Sequence, residues 1–194
     1  MKPVQTVLKG YNYQCNKFKI VGDIWFCSSA EKDSNGKKFS GAYPAGFMKR
    51  VKLAFKDYYP KDKEDKLQVC SGRIPSCEGM RLDIDPKYKP DFLCNAEDMK
   101  PVKSNRFKWV MSDTPYNERA SEKYYGKPLL NRSKMLKEMT RVCKVGGFVS
   151  LLDQITPNNA PRNLKRIAII GVTSIPNQDL RVFTLYRKIG RKPN

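Results

Sequence analysis

The 194-residue chain sets 38 Lys and Arg against 19 Asp and Glu, a formal net charge of +19, and contains no histidine. With 40% hydrophobic and 11% aromatic residues it is neither disordered nor fibrous, and one domain of this length can bury a real core. No apolar run approaches the ~20 residues that span a bilayer, and histidine-dependent triads are excluded.

The six cysteines, at 15, 27, 70, 77, 94 and 143, form no Cys-x-x-Cys pair. With no histidine to help, a zinc site of the common type is not expected, and no metal is assigned. Met1-Lys2-Pro3-Val4-Gln5 lacks the apolar core of a signal peptide, so a soluble, cytoplasmic protein is expected. The cationic excess predicts a polyanionic partner, nucleic acid ahead of an anionic surface.

In chain order, residues 1–44 read as an irregular N-terminal extension with one strand, Lys17 to Phe26, and a turn at Asp33-Ser34-Asn35-Gly36. Ala45 to Tyr59 has Phe47, Val51, Ala54, Phe55 and Tyr58 at helical spacing. Lys61 to Lys66 reads as a solvated linker. Apolar runs at Leu67 to Cys70, Met80 to Ile84, Asp91 to Asn95 and Phe107 to Met111 predict strands. The first two gaps are shorter than the dozen or so residues of a normal parallel crossover, so either these connections are single turns or the strand limits differ.

Asn117 to Lys127 is polar and reads either as a substrate-facing lid or as a solvated loop. Asn131 to Cys143 predicts a helix with Met135, Leu136, Met139, Val142 and Cys143 on its apolar face. Gly146-Gly147 should end it and open a strand at Phe148 to Leu152. Ile167 to Thr173 and Leu180 to Arg187 predict an antiparallel pair joined around Pro176-Asn177-Gln178. The whole is one domain, with a core over 45–188 and a basic tail over 189–194 that is suited to phosphates.

The chemistry-bearing segment is Asp113-Thr114-Pro115-Tyr116, which ends the run Phe107 to Met111. An Asp-Thr-Pro sequence also starts ordinary turns. Several neighbouring blocks, however, make residues 42–188 resemble a class I S-adenosylmethionine-dependent methyltransferase, and within that fold the DNA amino-methyltransferases (N6-adenine or N4-cytosine). Tyr43-Pro44-Ala45-Gly46-Phe47 resembles the segment along the cofactor's methionine end, and Leu67-Gln68-Val69-Cys70-Ser71-Gly72 the first strand and its glycine turn. Leu82-Asp83-Ile84-Asp85-Pro86 resembles the second strand end, with Asp83, or Asp85 in reserve, accepting the ribose hydroxyls. Cys94-Asn95-Ala96-Glu97-Asp98 resembles the adenine-flanking segment, and Arg141 to Gly147 the structural turn before the fifth strand.

The resemblance implies an α/β fold: a Rossmann-like class I methyltransferase sheet, mostly parallel, with an antiparallel C-terminal strand and reduced helices. It implies S-adenosyl-L-methionine as cofactor, held by Tyr43, Pro44, Phe47, Cys70, Ser71, Gly72, Asp83, Asp85, Asn95 and Ala96. It also implies catalysis by Asp113, Thr114, Pro115 and Tyr116: Asp113 and the Thr114 carbonyl take the two N–H groups of an exocyclic amine, and Tyr116 stacks on the base. The chain departs from the pattern at Thr114, where the family has proline, and keeps one glycine, Gly72, of a fuller glycine turn. DNA is the expected partner ahead of RNA, without a membrane. Because 78 residues follow Tyr116, target recognition falls to loops, to the N-terminal 44 residues, or to a partner subunit or second copy. Two other functions fit the same residues: methylation of another planar amine, such as a protein glutamine or a free nucleoside, and a non-catalytic methyltransferase-like module that binds nucleic acid or a partner.

Overall fold

The computed structural model describes residues 13–15, 20–27, 43–173 and 180–190. The expected turns at Asp33 to Gly36 and Pro176 to Gln178, the first residues of the Lys17 strand and the end of the basic tail lie outside them.

The described strands form one nine-stranded sheet. They are β1 (Tyr13–Cys15), β2 (Ile20–Phe26), β3 (Lys66–Val69), β4 (Met80–Asp83), β5 (Phe92–Leu93), β6 (Phe107–Asp113), β7 (Cys143–Asp153), β8 (Leu164–Thr173) and β9 (Arg181–Lys188). Their spatial order is β1-β2-β8-β9-β7-β6-β3-β4-β5. Pairing is parallel through β5, β4, β3, β6 and β7 and between β2 and β8, while β9 runs antiparallel to β7 and β8. This is the Rossmann-like, mostly parallel sheet with an antiparallel C-terminal strand that the resemblance implied. Residues 1–44 are not merely an extension, because β1 and β2 continue the sheet beyond β8.

Alternation along the strands sorts side chains onto two faces. Trp109, Met111, Phe148 and Leu152 pack with Trp25, Phe47, Val51, Phe55 and Phe183 on one face. Val110, Val149 and Leu151 pack on the other with Leu67, Val69, Leu82 and the buried side of α3 (Arg132–Val142), namely Met135, Leu136, Met139 and Val142. The first face is covered by α1 (Phe47–Ala54).

Several boundaries depart from expectation. Helix α1 stops at Ala54 rather than Tyr59: Phe55 leaves helical geometry at φ −116°, and Pro60 disfavours the helical region for the tyrosine before it. The stretch from Lys61 is no free loop. Residues 63–65 form a 3₁₀ turn, and Lys66 opens β3 almost fully buried, its amine donating to the Lys61 carbonyl at 3.2 Å. The short connections after β3 and β4 are each trimmed to a single 3₁₀ turn, Ser76–Glu78 and Pro86–Tyr88. Asn117 to Lys127 is not a loop: it holds helix α2 (Glu118–Tyr125), which stops at Gly126 with φ 59°. Gly146-Gly147 does not separate α3 from its strand. Strand β7 starts at Cys143, directly after α3, and residues 144–147 bulge opposite Lys108, since Phe107 pairs with Cys143 and Trp109 with Phe148.

Candidate active site

From β3 the chain steps outward to β4 and β5, then returns to lay β6 on the opposite side of β3. Strand order therefore reverses between β3 and β6, and in open α/β sheets the crevice beyond the carboxyl ends of the strands at such a reversal is where ligands bind. Two segments occupy that place. Residues 70–72 leave β3, and Asp113 to Tyr116 leave β6, with Val69 paired to Ser112.

The β3 turn is backbone-strained, with Cys70 at φ 55° and Gly72 at φ 47°. It is tied down by Asp83 at the end of β4. Asp83 Oδ2 accepts from the Gly72 N–H at 2.7 Å and Oδ1 from the Asp85 N–H at 3.0 Å. A carboxylate offers about four acceptor positions, so two remain for a diol. The Ser71 hydroxyl in this turn is fully buried with no partner among the described residues, an arrangement that costs free energy unless a ligand meets it. A cavity of about 200 Å³ opens here, lined by Cys70, Leu82, Asp83, Asn95, Ala96 and Pro115 among others. That is below the roughly 300–1,000 Å³ of a drug-sized pocket, and it suits the nucleoside part of a ligand. Burial pushes the Cys70 thiol up to about 12, so it sits there as a neutral wall.

Asn95 Oδ1 accepts from the Glu97 N–H at 2.9 Å, which leaves its amide nitrogen and one lone pair. Tyr43 is buried at the neighbouring strand row, its hydroxyl donating to Gln68 Oε1 at 2.9 Å. Burial, with Asp113 and Tyr116 nearby, holds its ionisation well above the usual tyrosine range. Pro44 is buried beside it. Of the expected ligands, Cys70, Asp83, Asn95 and Ala96 line the cavity, whereas Tyr43, Pro44, Ser71 and Gly72 do not, and Phe47 and Asp85 are engaged elsewhere. Phe47 is a core residue packed among the Trp25, Tyr43 and Phe183 rings in tilted and edge-on contacts, because its place in the first turn of α1 aims it at the sheet. Asp85 caps the 3₁₀ turn, accepting from the Lys87 N–H and pairing with the Lys87 amine.

At the β6 end, Tyr116 donates its hydroxyl proton to Asp113 Oδ1 at 2.5 Å, and the Arg181 guanidinium lies 4.8 Å from the centre of the Tyr116 ring. Burial pushes the Asp113 carboxyl up to about 6, against the pull of Arg181 and the Tyr116 hydrogen bond. Beneath the loop, Arg132 in the first turn of α3 grips Asp153 at the end of β7, through Nε at 2.5 Å and Nη2 at 3.1 Å. The same Nη2 donates to the Tyr116 carbonyl at 2.7 Å, and Thr114 Oγ1 donates to Asp153 Oδ2 at 3.5 Å. The Asp113–Tyr116 loop is thus bracketed from both ends by one ion pair. Sequence reasoning missed Arg132, Asp153 and Arg181. Asp153 had a signal, since Leu151-Leu152-Asp153 repeats the apolar-run-then-acid pattern of Asp113. Arg132 and Arg181 had none.

No protein-family model and no curated protein matches the chain. Solved structures are similar to it at low identity. TrmN from Thermus thermophilus is 12% identical over 70% of this chain and 47% of its own, with a TM-score of 0.48. A SAM-dependent methyltransferase from Aquifex aeolicus is 13% identical over 68% and 86%, at 0.44. A 16S rRNA (adenine(1408)-N(1))-methyltransferase from Catenulisporales acidiphilia is 9% identical over 72% and 91%, at 0.42. Similarity this remote does not say what the chain does.

Proposed function

We propose that the protein is an S-adenosylmethionine-dependent N-methyltransferase acting on the exocyclic amine of a nucleic-acid base, with adenine N6 or cytosine N4 of DNA as the first candidates. The observation that carries this reading is the placement of Asp113 and of the Cys70–Asp83–Asn95 cavity on neighbouring parallel strands at the point where the sheet order reverses.

The residues present fit the cofactor: the cavity offers spare acceptor positions on Asp83, polar atoms on Asn95 and apolar walls from Leu82 and Ala96, and the adjoining turn carries the orphaned Ser71 hydroxyl. When bound, S-adenosylmethionine supplies an electrophilic methyl group. The protein's share of the reaction is then positioning and charge stabilisation. Asp113 accepts one N–H of the amine and the Thr114 carbonyl the other, which localises the nitrogen lone pair that ring conjugation otherwise withdraws. The Asp113 carboxylate also stabilises the positive charge that grows on nitrogen. To serve as acceptor it must be ionised and must release the Tyr116 hydroxyl, after which the Tyr116 ring is free to stack on the base, a contact worth ~1–3 kcal/mol.

Labelled methyl transfer to DNA or RNA by the wild type, abolished in Asp113→Ala with cofactor binding retained, is the expected result. Equal transfer by both proteins would remove Asp113 from the chemistry. A non-catalytic nucleic-acid-binding module is the second reading, and the Tyr116 hydroxyl seated on Asp113 is the observation that favours it.

A further inference from the structure

A second cavity, of about 1000 Å³, opens at the far end of the sheet from Asp113. Its wall includes Asn105 before β6, Asn163 before β8, Lys188 at the end of β9, and Lys137 and Arg141 on α3. Because β6, β7 and β8 run in one direction and β9 in the other, these residues gather at the amino edge of the parallel strands. β6 is seven residues long, which at ~3.3 Å per residue puts the cavity about 20 Å from Asp113. An occupant of this cavity is therefore not the group that reacts at Asp113.

Hydrogen bonds hold the wall together around a buried charge. Lys188 is 7% exposed, and its amine donates to Asn105 Oδ1 at 2.8 Å and to the Cys143 carbonyl at 2.7 Å. Asn105, at φ 54°, donates its own N–H to the Arg141 carbonyl at 3.0 Å, and the Ile189 N–H donates to the Asn163 carbonyl at 2.8 Å. Among the described residues the third proton of the Lys188 ammonium has no acceptor and no carboxylate pairs with it. An ammonium buried among neutral acceptors is costly, and an anion beside it offsets that cost.

The rest of the lining has the same sign. Arg162 and Lys137 are exposed at the cavity, and among the described residues neither forms an ion pair. The one acid in the lining, Glu138, is already held by Arg141 through bonds of 2.9 and 2.8 Å and accepts from the Met99 N–H at 2.9 Å. Three uncompensated cations thus stand on three separate elements, around a space at the upper end of small-ligand pockets. Cations spaced in this way suit successive phosphates of a backbone better than one small anion.

We propose that this cavity anchors the phosphate backbone of the nucleic-acid substrate through Lys137, Arg162 and Lys188, at the opposite end of the sheet from the methylated base. The proposal rests on the nucleic-acid reading for its occupant, and it specifies a polynucleotide long enough to reach both ends of the sheet. At ~3.4 Å per nucleotide that takes at least about six nucleotides.

The test measures binding of a mixed-sequence DNA single strand of about twenty nucleotides, well beyond that minimum, to the full-length protein over a salt series. Arg162→Gln and Lys137→Gln alter exposed side chains without an ion pair, so neither threatens the fold. Each is expected to weaken binding by about tenfold at low salt, the worth of one charge-assisted contact, and to flatten the log–log salt slope by about 0.7. Arg162→Lys should recover most of the affinity. Lys56→Gln, which removes an exposed charge just beyond α1, should change little. In methyl transfer the two cavity variants should raise KM for the long strand at unchanged kcat, and leave KM for a trinucleotide as in the wild type. Wild-type binding in both variants would overturn the anchor, and so would an equal loss in Lys56→Gln, which would mean diffuse charge. Polyglutamate competing as well as the strand would overturn phosphate as the ligand. Adenosine monophosphate separates the two sources of phosphate: if its binding needs Arg162 while strand binding does not, the cavity takes a free nucleotide and the anchoring role falls. The two readings fail separately. Strand binding that depends on Arg162 without any methyl transfer removes the transferase alone, whereas transfer to the long strand with KM indifferent to both variants removes the anchor alone.

Discussion

Arg132 and Asp153 form a bidentate pair between the first turn of α3 and the last residue of β7, and through it both ends of the Asp113–Tyr116 loop are fastened to the core. Asp153 is 1% exposed and the Arg132 side chain 19%. Removing the arginine strands a buried carboxylate. Arg132→Ala should cost about 3 kcal/mol of stability in urea denaturation, the low end for a broken buried pair because Arg132 is partly exposed. Arg132→Lys keeps the charge but not the fork. It should lower kcat on the order of a hundredfold by displacing the loop, with cofactor affinity unchanged. A parallel loss of cofactor affinity would mean that the pair supports the cavity rather than the loop.

Asp113 gives a pH signature. Its carboxyl is pushed up to about 6 from an ordinary 3.8 by burial, so the folded state holds this proton more tightly than the unfolded chain. The linked stabilisation is complete below about pH 4 and is lost as pH rises through about 6, amounting to at most about 3 kcal/mol. Asp113→Asn removes this dependence, so the variant should gain stability over wild type as pH goes from 4 to 7. Activity should run the other way, because the ionised carboxylate is the acceptor. The pH profile of kcat/KM should rise with an apparent pKa near 6, and a profile flat from pH 5 to 8 would speak against Asp113 as that acceptor.

How much of this was legible in the sequence depended on whether the signal was local. The strands around Asp113 and the glycine turn could be read because buried parallel strands are short apolar runs closed by polar residues. Helix α2 was not, since Glu118 to Tyr125 is polar and its end is marked by Gly126 rather than by an apolar stripe. Phe47 was legible as the first residue of the apolar stripe of α1, but not that Trp25 and Phe183 would take up its ring in place of a ligand, which is a long-range fact. The meeting of Arg181 with Tyr116 and of Arg132 with Asp153 is likewise set by strand order, on which residue spacing is silent.

Ser71 tests whether the β3 turn is kept for a ligand. Its orphaned hydroxyl costs about 1–3 kcal/mol when unmet. Ser71→Ala should leave the cofactor-free protein equally or more stable, by up to about 1 kcal/mol, and should weaken S-adenosylmethionine by about tenfold. A destabilised variant with full cofactor affinity would show that the hydroxyl serves the fold.

The β7 bulge has its own requirement. A Cβ on Gly147 would lie 2.7 Å from the Lys108 carbonyl oxygen and 2.9 Å from Cys143 Sγ, so Gly147→Ala must displace backbone. A loss of about 1–3 kcal/mol, seen as a lower denaturation midpoint, is expected, and an unchanged midpoint would contradict the close packing at Lys108.

The central claim is that the Cys70–Asp83–Asn95 cavity at the reversal of the sheet holds a cofactor. Isothermal titration of the full-length protein with S-adenosylmethionine tests it most directly. The account predicts a saturable heat with one site per chain, weakened in Asp83→Ala through loss of both the diol acceptor and the Gly72 tether. An absence of heat in the wild type, at concentrations that saturate ordinary methyltransferase sites, would contradict it.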